Sequence, residues 1–207
     1  MTPQRQQQRG FSIIELAVTL VVLGILITSA IPNITSWMRN TKLRNQAESL
    51  LAGLQQARNE AVRNNKAVTF WMVNLPTANS MDANCTVSAS GTSWVVSVGN
   101  PAGQCDVDPG VPQIVTKRVG ADGSAGVTVS GLQADGSTAA SSVKFDGFGR
   151  ASGLQVIDVT FATVNTGVDH PLRIEVSTSG LTRLCDTTVS TTGDPRKCTK
   201  TTGSSFQ

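Results

Sequence analysis

The sequence predicts an α+β protein: one long N-terminal helix, its first half able to span a membrane, followed by antiparallel β-sheets that pack on its second half. Three observations lead there. The run from Phe11 to Ile31 is apolar and carries a single charge, Glu15. Helical spacing of apolar residues then continues to about residue 61. Everything beyond Lys66 reads as short β-branched segments divided by Gly and Asp turns.

The first ten residues are polar, with Arg5 and Arg9 and no acid. They read as a leader ending at Gly10. A secretory signal is cleaved after its apolar region. Here the small residue precedes that region, so cleavage between Gly10 and Phe11 leaves the apolar helix on the mature chain. About 21 helical residues reach roughly 30 Å, the thickness of a bilayer core. Residues 11–32 are therefore read as a transmembrane or filament-core half-helix, and Gly24 and Pro32 as places where it kinks or loosens. A carboxylate such as Glu15 is costly in lipid unless a cation meets it, which marks it as functional.

Leu43, Ala47, Leu50, Leu51, Leu54, Ala57 and Ala61 follow with helical spacing, while Arg44, Glu48, Gln55, Arg58 and Arg63 fall off that face. Residues 33–65 thus form an amphipathic half-helix ending at Asn64-Asn65. Strands are expected at 67–73, 93–98, 113–119, 126–130, 142–145, 154–161, 172–176 and 181–184. Turns are expected at Asp122-Gly123, Asp135-Gly136, Asp146-Gly147 and Ser179-Gly180. The repeated Ala-Asp-Gly-Ser at Ala121 and Ala134 reads as two hairpin turns. Residues 66–198 form one β-rich globular domain, and 199–207 a small polar, flexible tail.

The 207 residues carry 17 basic and 14 acidic side chains. Without the leader the balance is 15 to 14, too near neutral to suggest a nucleic-acid binder. Four cysteines suit an oxidising compartment and allow three pairings. Local pairing, Cys85 with Cys105 and Cys185 with Cys198, is the economical choice, because each closes a polar loop that lacks an apolar core. No Cys-x-x-Cys and a single histidine, His170, leave no metal pattern. His170 has no nucleophile motif around it, and Asp106-Val107-Asp108-Pro109-Gly110 falls short of a calcium loop. No catalysis and no cofactor are expected. Arg183, Arg196 and Lys197 form a basic cluster near the C-terminus that suits phosphate contact, diluted by Asp186 and Asp194.

Gly10-Phe11-Ser12-Ile13-Ile14-Glu15-Leu16, with Gly24 and Ala30-Ile31-Pro32, resembles the class III signal of type IV prepilins and type II secretion pseudopilins. The resemblance implies a type IV pilin-like fold, prepilin peptidase cutting before Phe11, and N-methylation of the Phe11 amine. It also implies that Glu15 pairs with the Phe11 amine of a neighbouring subunit during filament assembly. Phe145-Asp146-Gly147-Phe148-Gly149-Arg150 and Gly180-Leu181-Thr182-Arg183-Leu184-Cys185 resemble the GspH/FimT family, and Asp194-Pro195-Arg196-Lys197-Cys198 its FimU-like minor pilins. That implies a minor pilin of a tip or priming complex, in the inner membrane with its domain outside and then on the cell surface. Its partners would be other minor pilins, the major pilin and the inner-membrane assembly platform. DNA-binding members carry a Gly-Arg-x-Arg motif where this chain has Gly180-Leu181-Thr182-Arg183, so nucleic acid is the less favoured partner. A type II secretion pseudopilin H is the remaining alternative.

Overall fold

The computed structural model describes residues 11–77, 80–108, 113–120 and 125–199. The side chains of residues 29–33 are not among those described, and the leader (Gly10 included), Asp122-Gly123 and residues 200–207 also lie outside. Helix α1 runs Ile13–Asn64, uninterrupted through Gly24 and Pro32. The chain divides into two compact units, residues 1–38 and 39–207.

Among the described residues the larger unit holds ten strands. They are β1 (Val68–Asn74), β2 (Thr86–Val87), β3 (Ser93–Ser97), β4 (Ile114–Arg118), β5 (Val127–Leu132), β6 (Ser142–Phe145), β7 (Ala151–Gly153), β8 (Val156–Phe161), β9 (Leu172–Val176) and β10 (Thr182–Asp186). One sheet has the order β4-β3-β1-β6-β7, with β2 also on β1; the other has the order β10-β9-β8-β5. Every pairing between strands is antiparallel.

The helix face expected from spacing is the one that is buried. Leu43, Ala47, Leu50, Leu54, Ala57 and Ala61 are fully enclosed, and Leu51 is partly so. They meet Val68, Phe70, Met72, Val96 and Phe145 of the first sheet and Val129, Ile157, Val159 and Ile174 of the second in one continuous core. Gln46 shares that face, and its amide donates to the Thr92 carbonyl at 2.6 Å. A buried amide would otherwise be costly. The helix stops where Asn64-Asn65 suggests. Asn65 takes a left-handed φ of 50°, the Lys66 N–H reaches the Ala61 carbonyl and the Asn65 N–H the Val62 carbonyl. That pair of bonds is the Schellman arrangement.

Alternation along β1 sends Val68, Phe70 and Met72 to the helix and Trp71 and Val73 to the other side. There Val73, Val95 and Ile114 build a second small core around Cys85 and Cys105, which are joined by a disulfide. Cys185 and Cys198 are joined likewise. The bonds span 20 and 13 residues, and each stabilises by about 3 kcal/mol in the chain-entropy model. Replacing Cys85 and Cys105 by Ser should cost more than replacing Cys185 and Cys198, because it also opens the second core. Unfolding of the two double variants under oxidising conditions checks this order.

Asp135-Gly136 closes a hairpin turn as expected, with Leu132 bridged antiparallel to Ala139, but β5 and β6 enter different sheets. Strands β2 and β7 were not expected; Ala151-Ser152-Gly153 has no β-branched residue and pairs because the turn before it folds it back on β6.

Arg39 and Asn40, at the helix end of this unit, are locked to the loop after β8. Arg39 donates Nε to Asp169 Oδ1 at 2.7 Å and Nη2 to Oδ2 at 2.6 Å, and its guanidinium lies 4.1 Å from the Phe161 ring centre. Asn40 donates to the Val168 carbonyl and accepts from the His170 N–H. The Arg39 guanidinium holds the buried Asp169 carboxyl below its usual range. A depressed carboxyl adds stability that is present above its unfolded pKa, about 4, and is lost as pH falls through the lower folded value. Asp169→Asn should therefore flatten the acid limb of stability below pH about 4 and lower stability at pH 7, as followed by melting temperature across pH.

Candidate functional site

The smaller unit is described by its own helix. Phe11 precedes α1 and is 85 % exposed. Glu15 lies in the first turn, where the positive end of the helix dipole favours a carboxylate. Val21, Val22 and Leu23 are consecutive and each at least half exposed, as are Leu20, Ile25 and Leu26. Successive residues point about 100° apart, so this helix is apolar all round, the pattern of a membrane or bundle-core helix. Two of its hydroxyls need no water: Thr19 donates to the Leu16 carbonyl and Thr28 to the Ile25 carbonyl. Among the described residues no helix is long and apolar enough to cross a membrane. The side chains of residues 29–33 are not among those described, and in sequence the apolar run continues to Ile31.

Arg196 and Lys197 lie on the second disulfide loop and Arg183 on β10 beside it, and each already has a partner. Strand register places Arg183 directly across from Glu175. Arg183 Nη2 lies 3.4 Å from the buried Glu175 carboxylate and also donates to the Lys197 carbonyl. Arg196 binds Asp194 at 2.8 Å and, chiefly through that side-chain hydrogen bond, lowers its carboxyl to about 2. Lys197 donates to the Ser190 carbonyl at 2.9 Å. Beside them Arg173 makes a two-point pair with Asp158, its cross-strand neighbour. Arg183 fastens the loop to the sheet, while Arg196 and Lys197 bind within the loop and Arg173 within the sheet. Sequence reading missed Glu175, although charges at Arg173 and Glu175 inside an apolar strand were a signal of an internal ladder.

Other candidate chemistry meets geometric objections. His170 Nδ1 lies 3.3 Å from Asp186 and 3.4 Å from the Thr188 hydroxyl. A hydroxyl–imidazole–carboxylate relay needs its partners on opposite ring nitrogens, whereas here both crowd Nδ1, and the Thr188 hydroxyl donates to Asp186 instead. The carbonyls of Cys105, Asp106 and Val107, in the segment weighed as a calcium loop, converge on the Lys117 ammonium at 2.8–3.0 Å. Pro109 and Gly110 lie outside the described residues. Among the described residues the one grouping with metal-ligand spacing is Glu175, Cys185 and Cys198, whose two sulfurs are bonded to each other and offer no thiolate.

The two segments that carry the family resemblance form a clasp at the C-terminal end of α1. Asp146 Oδ1 accepts from the N–H groups of Phe148 and Arg150, and Oδ2 accepts from Arg150 Nε. Gly149 and Gly180 both take positive φ. The Gly149 carbonyl accepts from Arg58 Nε at 3.2 Å and lies where a Cβ on Gly180 would collide with it. The Ala151 N–H donates to the Thr178 carbonyl, which ties the two hairpins together.

Comparison with known proteins gives two sequence matches. The family described as type II transport protein GspH matches residues 46–180, and the prokaryotic N-terminal methylation motif matches residues 5–31. No curated protein matches the sequence. Among solved structures, the chain is similar to type IV minor pilin FimU of Pseudomonas aeruginosa in two crystal forms. One is 18% identical with TM-score 0.47, covering 72% of this chain and 91% of that one. The other is 17% identical with TM-score 0.44, covering 68% and 90%.

Proposed function

The chain belongs to the family of the type II transport protein GspH, and from that premise we propose that it is a minor subunit of a type IV pilus, placed in the tip or priming complex that starts assembly. The observation that carries the reading is the helix that is apolar all round with Glu15 as its one charge from Phe11 to Ile31, inside a matched N-terminal methylation motif. Residues 1–10 are the leader, removed by prepilin peptidase between Gly10 and Phe11, and the new Phe11 amine is methylated. Residues 11–32 hold the chain in the inner membrane, with the domain at 66–198 outside. In the filament the same helix leaves lipid and bundles with its neighbours. Glu15 then needs a cation, because a carboxylate without one is expelled from an apolar bundle or protonated. The Phe11 amine of an adjacent minor or major pilin supplies it, and the inner-membrane assembly platform drives the transfer.

The work is structural and needs no cofactor. A second reading, a type II secretion minor pseudopilin, draws on the description of the matched family and uses the same device in another machine. Uptake of DNA through Arg183, Arg196 and Lys197 is less supported, since those cations are engaged locally. The test is a deletion strain with a complemented control. We expect surface pili to be lost and restored by the wild-type chain. Normal pili with failed export would favour the pseudopilin reading, and normal pili with failed transformation the DNA reading.

A further inference from the structure

The clasp at the end of α1 leaves large apolar side chains in solvent. Phe148 is 81 % exposed, Leu181 63 % and Val62 50 %. They belong to one place. Phe148 sits on the β6–β7 turn, Leu181 on the β9–β10 turn, and the two turns touch through Gly149 and Gly180. The Val62 methyl lies 3.1 Å from where a Cβ on Gly149 would be. The patch is also rigid. Asp146 holds the backbone on both sides of Phe148, Arg58 holds the next carbonyl, and the Arg150 guanidinium covers one side of the Phe148 ring at 5.6 Å.

Folding gains nothing from an exposed phenylalanine fixed in this way. A preformed aromatic beside aliphatic side chains is what a protein partner uses as an anchor, because little entropy remains to be lost on binding. The rim sets the kind of partner. Arg58 has no carboxylate within ion-pair distance among the described residues. Asp146 is saturated by backbone N–H groups and by Arg150, so those two charges cancel and Arg58 leaves the rim net positive.

We propose that the Phe148–Leu181 patch is a docking surface for the globular domain of a neighbouring filament subunit, which receives Phe148 in an apolar pocket edged by carboxylates. This rests on the filament reading above. The test places the photo-crosslinking residue p-benzoylphenylalanine at Phe148 of the full chain, in cells that build the machine. Presence of the chain in sheared surface filaments is measured first; its absence from them counts against the filament reading itself.

With the chain in filaments, the Phe148 crosslink should map to an acid-edged surface on one pilin-type subunit. Leu181→Asp should reduce its yield at least about tenfold, and Arg58→Glu about fivefold, with recovery when a mapped carboxylate on the partner is changed to Lys. A probe at Ser130, exposed on the edge strand β5, serves as the control and should give no such product. The proposal is overturned if Phe148 in filaments gives no subunit crosslink or crosslinks only to lipid or DNA. A product equal at Ser130, or one unaffected by Leu181→Asp in a chain that keeps both disulfides, also overturns it.

Discussion

Glu15→Ala should leave removal of residues 1–10 intact and reduce the chain's presence in surface filaments at least about a hundredfold. On the proposed reading, cleavage depends on the segment around Gly10 and Phe11, and alanine is a good helix former, so α1 should still begin where it does. On the same proposed reading, incorporation depends on a charge that the variant lacks. An N-terminal amine entering an apolar bundle without its carboxylate is an unpaired buried charge, and losing one partner of such a pair costs about 3–5 kcal/mol. At about 1.4 kcal/mol per tenfold, that is about two to three and a half orders of magnitude in assembly. Glu15→Gln separates charge from shape: it keeps the size and a polar end, and should fail almost as badly. Recovery of filaments by Gln would mean that a hydrogen bond, and not an ion pair, is what Glu15 supplies. The readout is the ratio of mature chain in sheared filaments to mature chain in membranes.

Gly180→Ala is expected to destabilise the domain strongly, because a methyl group is added at a buried turn glycine. Two costs combine. Gly180 sits at φ +79°, where an L side chain is strained by about 1–2 kcal/mol. Its new Cβ would also collide with the backbone carbonyl of Gly149, which is fixed by Arg58 and cannot step aside. Such overpacking adds about 1–3 kcal/mol. Gly167 gives a matched control: it has the same φ of +79° with nothing within 4 Å of a Cβ. Gly167→Ala should then cost only the conformational part, and the difference between the two variants measures the collision. Equal losses in denaturant unfolding would mean that the two hairpin turns are not held against each other as described.

The long helix and its buried face were readable because the physics is local. Leu43, Ala47, Leu50, Leu54, Ala57 and Ala61 fall on one stripe by spacing alone, and Asn65 ends the helix with a conformation that asparagine tolerates well. Strands rich in Val, Ile and Phe were equally plain. Contacts across great sequence distance were not. Arg39 and Asp169 are 130 residues apart, and nothing near either one names the other. Lys117 reads as one polar residue in an edge strand until the loop carrying Cys105 folds over it. The same limit applies to the basic cluster. Arg183, Arg196 and Lys197 look available as a list of charges, and only the β9–β10 register shows that Arg183 faces Glu175. The family segments were legible as a pattern, but their physical role was not: Gly149 and Gly180 are small so that two turns and a helix end can meet.

The most direct measurement is mass spectrometry of the chain's N-terminal peptide, taken from surface filaments sheared off wild-type cells. The account predicts a mature chain that begins at Phe11, carries a methyl group on its amine and is present in the filament fraction together with another pilin-type subunit. A chain that begins at Met1, or one that is cut after Ile31 and recovered free of filaments, would contradict it.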